Sequence, residues 1–118
     1  MTLVLSILSL GTFAAIVVGA IASGEAHQAN SGWTYPPACC KAHAIGGDCE
    51  AIPARDVTLG PYGFSVFLQT GDHHLATRSH RFFIPYGDEM RSGDGQYHIC
   101  LHPTESDVNC FFAPPGSA

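Results

Sequence analysis

The chain has 118 residues and a formal net charge of −5 with neutral histidines, from ten acids against five Lys and Arg. It contains no basic run, which argues against nucleic acid and anionic membrane surfaces as partners, and its acids are too few and too scattered for a disordered acidic tail. With five cysteines in so short a chain, the composition allows one small cross-linked domain.

Residues 3–22, from Leu3 to Ala22, carry no charge and are almost wholly apolar. This predicts an N-terminal apolar helix that acts as a signal peptide. Small residues at Ala20 and Ala22, and at Gly24 and Ala26, offer cleavage after Ala22 or after Ala26. The run is also long enough to remain as a single anchor. The preferred division is a signal peptide over 1–26 and a domain over 27–118. Export places the cysteines in an oxidising compartment, periplasmic or outside the cell, where they act first as staples. A domain of about 92 residues buries only a modest fraction of its surface, so cross-links add substantially to its stability.

From His27 to Ser31 the chain is polar, and Gly32-Trp33-Thr34-Tyr35-Pro36-Pro37 suits an extended segment laid across a core. Cys39 to His43 predicts one short helical turn closed by Gly46-Gly47, and residues 48–53 read as extended. Tyr62 to Gln69 alternates with period two, placing Phe64, Val66 and Leu68 on one face. Thr70-Gly71-Asp72 breaks that strand. His80 to Ile84 predicts another, ended by Pro85, and Ser92-Gly93-Asp94-Gly95 predicts a turn. Gln96 to His102 and Cys110 to Ala113 complete the set. The fold class expected is mainly β: a small antiparallel sheet or barrel-like domain stapled by disulfides.

Several motifs recur together: Ala26-His27, Trp33 and Tyr35-Pro36, Cys39-Cys40, Asp48-Cys49, Ser92-Gly93-Asp94-Gly95, Tyr97-His98-Ile99-Cys100, and Cys110-Phe111-Phe112-Ala113-Pro114-Pro115-Gly116-Ser117. In this combination the chain resembles a family of small, exported, uncharacterised bacterial proteins. The likeness covers nearly all of residues 27–118 and implies export and a shared fold, without implying an activity.

Five cysteines allow at most two bridges and leave one thiol over. The preferred pairing joins Cys49 to Cys39 or Cys40, and Cys100 to Cys110. The adjacent Cys39-Cys40 pair is read as one bridging and one remaining cysteine rather than as a redox switch, since no Cys-x-x-Cys activates a thiol.

The seven histidines raise metal binding. Cleavage after Ala26 would make His27 residue one, whose amine and imidazole chelate Cu(II) together with a second imidazole from His73, His74, His80, His98 or His102. On a strand His98, Cys100 and His102 would face the same way, a set of N and S donors for Zn or Cu that a disulfide at Cys100 would break. The metal candidates are therefore His27, His98 and His102, with His73-His74 read as a loop tip. Asp88 and Glu89 read as a solvated loop, and Trp33, Tyr35, Phe111 and Phe112 as core. No catalytic signature is present, and the expectation is a small exported binding domain rather than an enzyme. Its partner would be a protein, an envelope component or a metal ion; the alternative is a periplasmic copper- or zinc-binding protein built on His27.

Overall fold

The computed structural model describes residues 27–41 and 46–117. The expected signal peptide and the second half of the helical turn predicted at 39–43 lie outside these residues. Among the described residues seven strands form two sheets. The first has the order β1 (Cys49–Ile52), β6 (Tyr97–Leu101), β7 (Val108–Ala113) and β5 (Met90–Arg91); the second runs β2 (Val57–Leu59), β3 (Gly63–Leu68) and β4 (His80–Pro85). All pairings are antiparallel except the short parallel contact of β5 with β7. The mainly β expectation holds, but the single sheet or barrel is replaced by two sheets. Among the described residues the only helical segments are two 3-10 turns, Pro37–Cys39 and Ala54–Asp56. No helix among them is long and apolar enough to cross a membrane.

The two sheets meet over one apolar core. Phe64, Val66 and Leu68 of β3 are buried while Ser65 and Phe67 point outward, as the period-two pattern requires. They pack with Ile84 of β4, Ile52 of β1, Ile99 and Leu101 of β6, and Phe111 and Ala113 of β7. Outward-facing Phe67 is covered by Arg81, whose guanidinium carbon lies 4.4 Å from the ring centroid.

The first sheet is buried on its other face as well. There the segment 27–41 forms a strap, beginning as a small hairpin in which Gln28 bridges Thr34 and the Ala29 N–H donates to the Trp33 carbonyl at 2.7 Å. Ala29, Trp33, Tyr35 and Cys39 of the strap pack on Cys49, Cys100, Cys110 and Phe112. Trp33 makes edge contacts with Tyr35, His98 and Phe112 at centroid distances of 5.1, 4.8 and 4.9 Å. Three of the four aromatics expected in the core thus form a second cluster under the strap, and Phe111 joins the first. The indole also rests on Gly93: a Cβ there would lie 2.2 Å from Trp33 Nε1. Gly93→Ala is expected to lift the indole and destabilise the domain by about 1–3 kcal/mol, read by chemical denaturation and a red shift of the single Trp.

The disulfides join Cys39 to Cys110 and Cys49 to Cys100, leaving Cys40 as the free thiol. This corrects the pairing expected from the sequence. Cys100 faces a cysteine on each side, Cys49 across β1 and Cys110 across β7. The neighbouring Leu101 N–H donates to the Asp48 carbonyl, so Cys49 and Cys100 form the narrow, non-hydrogen-bonded type of antiparallel pair, whose side chains approach most closely. Cys110 is left to meet Cys39, which the strap carries over the same face, with a Cα separation of 5.7 Å. Disulfides of this kind form and persist in oxidising compartments.

Candidate functional site

Two histidine-centred arrangements stand out, one sealed and one open. In the sealed one, His98 of β6 lies fully buried beneath the strap. Its Nε2 is 2.7 Å from Asp94 Oδ1 and its Nδ1 is 2.8 Å from the Tyr35 hydroxyl. Asp94 also accepts hydrogen bonds from the Ser31 and Ser92 hydroxyls and the Gln96 N–H. Burial alone would raise its pKa, but the bonds from Ser31, His98, Gln96 and Ser92 hold it well below the usual carboxylate range. Asp94 is therefore ionised, Nε2 carries the hydrogen, and Nδ1 accepts from Tyr35. Burial, then the carboxylates of Asp94 and Glu50, push the Tyr35 hydroxyl up, so it remains a donor. This network locks the strap to the 92–98 turn and leaves neither nitrogen of His98 for a ligand.

The open arrangement sits at the free edge of β1. Glu50 projects from that strand, while His73 and His74 come from the loop joining β3 to β4. Ring stacking holds the two histidines at a centroid distance of 4.7 Å and 14° between planes. His74 Nε2 lies 2.7 Å from the Gly47 carbonyl, to which it donates. Its Nδ1 lies 3.0 Å from Glu50 Oε2, which also accepts the His74 backbone N–H. A ring lone pair and a carboxylate oxygen can face one another at that distance only with a cation, a proton or a metal ion, between them.

His73 is fully buried. Its Nε2 donates to the carbonyls of Asp48 and Ile99 at 3.0 and 3.1 Å, and its Nδ1 accepts the Leu75 N–H at 3.1 Å. Nδ1 also lies 4.0 Å from Glu50 Oε2. Burial, reinforced by His74, depresses its pKa, so this imidazole is neutral. The local sequence makes the arrangement possible. Gly46 and Gly47 adopt φ of +83° and +74°, which favours glycine, and a Cβ on Gly46 would come within 3.1 Å of His74 Nε2. The Gly-Gly turn therefore admits the ring and presents the carbonyl that orients it.

Beside Glu50 and His74 a cleft of about 260 Å3 opens between the strap and β1, walled by Gln28, Asn30 and Tyr35. Two further hollows of about 280 Å3 lie near the C-terminal prolines and between β4 and β7. The first carries Glu89 and Arg91 beside apolar side chains and the second Asp88 and Asn109, and neither contains a histidine.

The sequence-predicted metal set is not assembled. His98 is spent in the strap network, Cys100 is in a disulfide, and half-buried His102 has Nδ1 4.0 Å from Asp48 Oδ2. His27 packs its ring against Gly47. Its backbone N–H points at the Cys40 thiol, which burial holds above its ordinary pKa. Among the described residues, the cluster of three whose donor atoms all lie within 4.8 Å of one another is Glu50, His73 and His74. The adjacent histidines were visible in the sequence, but Glu50 joins them only because β1 lies beside their loop. In comparisons with known proteins, no family model, curated protein or solved structure matches the chain.

Proposed function

We propose that this protein is an exported domain, periplasmic or secreted, that binds a small ligand in the cleft over the open edge of β1. The observation that carries the reading is convergence: Gln28 and Asn30 from the strap, Glu50 from β1 and His74 from the adjoining loop all line one concavity. The Cys49–Cys100 bridge sits in the cleft wall at Cys49, so the strand that supplies Glu50 is stapled next to the site. Export is supported by the uncharged apolar run at residues 3–22 and by the two disulfides.

Two measurements test it. Intact mass of the native protein, with and without alkylation, should show two bridges and one titratable thiol; native protein with five reactive thiols overturns the export reading. A small-molecule screen by backbone NMR on chelator-treated protein, using amino acids, sugars and dicarboxylates, should move the resonances of Gln28, Asn30, Glu50 and His74. Shifts confined to other surfaces overturn the cleft as the binding site.

A further inference from the structure

We infer that Glu50, His73 and His74 form a binding site for one borderline divalent transition-metal ion, Zn(II) or Cu(II), at the mouth of this cleft. The inference rests on the cleft reading and names its ligand. Three features carry it. First, both histidines donate Nε2–H to backbone carbonyls, His74 to Gly47 and His73 to Asp48 and Ile99. That second hydrogen bond fixes the tautomer of a metal-bound imidazole and raises its basicity, and here it leaves Nδ1 of each ring as the donor atom, that of His74 facing Glu50 and that of His73 engaged by the Leu75 N–H. Second, the spacing fits at His74 and is near at His73. Two donors bound at about 2.0–2.2 Å to one ion lie roughly 3 to 3.5 Å apart. Glu50 Oε2 is 3.0 Å from His74 Nδ1, while His73 Nδ1, at 4.0 Å, must draw closer to complete the set. Third, the meeting of His74 Nδ1 with a carboxylate oxygen already calls for positive charge at that point.

His74 and Glu50 are the anchoring ligands. His73 is the adjusting one, because an ion at its Nδ1 displaces the Leu75 N–H. Two imidazoles and one carboxylate suit Zn(II) and Cu(II) and discriminate against Ca(II) and Mg(II), which take oxygen ligands. The side chains of Glu50 and His74 are 37% and 29% exposed, so the remaining coordination position faces the cleft and its amides from Gln28 and Asn30.

The test uses the full native chain, stripped with a chelator and titrated with Zn(II) and Cu(II) in competition with a chromophoric chelator. The expected result is one ion per chain at micromolar affinity or better, with no competition from millimolar Ca(II). His74→Ala and Glu50→Gln should each weaken binding at least about tenfold while their metal-free unfolding midpoints stay close to the parent's. Substituted Co(II) should give the visible spectrum of a low-coordinate nitrogen and oxygen site, absent in His74→Ala. Binding that survives both substitutions but is lost in His27→Ala overturns the assignment in favour of the terminal histidine. A titration without binding, alongside a small-molecule screen that does move the cleft resonances, overturns the metal and leaves the cleft standing. Failure of both overturns both.

Discussion

Replacing Cys39 and Cys110 together by serine is expected to destabilise the domain by roughly 4 kcal/mol, the chain-entropy value for a bridge between residues 71 apart in sequence. Total stabilities of domains this size are about 5–15 kcal/mol, so the loss is a large fraction. The location of the damage matters as much as its size. Cys39 ends the part of the strap that packs on the first sheet, and its bridge to β7 fixes that end. Without the bridge the strap is held by the Trp33 and Tyr35 contacts, the network at Asp94, and at its Cys39 end by the hydrogen bonds of Asn109 to the Ala38 carbonyl and of the Lys41 N–H to Asp48. The environment of Trp33 should then be lost at lower urea than the far-ultraviolet β signal. The matching Cys49/Cys100 double serine variant loses a bridge of separation 51, comparable in energy, yet keeps the strap fastened. There the two signals should fall together. Coincident transitions in both variants, at the parent midpoint, would show that neither bridge bears on folding.

Asp56→Asn is expected to do the reverse and stabilise the domain at neutral pH. Asp56 closes the 3-10 turn before β2, with a side chain 0% exposed. Arg55 lies above it, with Nε 4.0 Å from Asp56 Oδ1 and Nη2 3.1 Å from Asp72 Oδ1. Burial first, then hydrogen bonding with Asp72 and repulsion from it, push the Asp56 carboxyl from its ordinary 3.8 up to about 7, against the opposing pull of Arg55 and Gln69. Both carboxyl oxygens of Asp56 are sealed from water, so the folded state favours the protonated, uncharged form. The folded state binds this proton more tightly than the unfolded chain. Its stabilising contribution is thus complete below about pH 4 and is lost as the pH rises to about 7. Asparagine keeps the shape and removes the buried charge. The variant should match the parent near pH 4 and exceed it by roughly 2 to 4 kcal/mol at pH 8.

Denaturant titrations of both proteins at the two pH values measure this difference directly. Other titrating groups contribute equally to parent and variant and cancel. Glu105 is one of them: its carboxylate is lowered to about 2, first by its hydrogen bond from His80 and then by bonds from Thr77 and the charge of Arg78. It works in the opposite sense, stabilising above the ordinary carboxylate range and losing that contribution as the pH falls toward 2. A difference between Asp56→Asn and parent that does not vary with pH would sink the account of a buried, protonated Asp56.

Local pattern predicted the elements well where one face of a strand is buried. Phe64, Val66 and Leu68 alternate because β3 has one face in the core and one in solvent. The elements missed are those that cannot show such a pattern. β2 is a three-residue edge strand and β5 has two residues, so neither completes an alternation. β6 is buried on both faces, between the second sheet and the strap, and its His98 and Cys100 serve the strap side. From the sequence these looked like a ligand row. They are instead a hydrogen-bonded core histidine and half of a disulfide.

The cysteine pairing shows the limit more sharply. Loop length favoured joining near neighbours in sequence, Cys39 or Cys40 with Cys49 and Cys100 with Cys110. The order of strands decided otherwise, because β6 lies between β1 and β7 and its cysteine faces both. Only the alternation of wide and narrow pairs within the ladder selects Cys49.

By itself the sequence determined a small β-rich unit punctuated by Gly and Pro, with cysteines enough for two bridges and one thiol over, and a polar pair of adjacent histidines. These follow from composition and short-range periodicity, which act through residues a few positions apart. Only the tertiary structure decided that there are two sheets and a strap, which cysteines meet, and that Glu50 lies against His73 and His74, 23 residues and more away in the chain. Those outcomes depend on strand order and register, which are set by burying apolar faces across the whole molecule, and no local pattern encodes that competition.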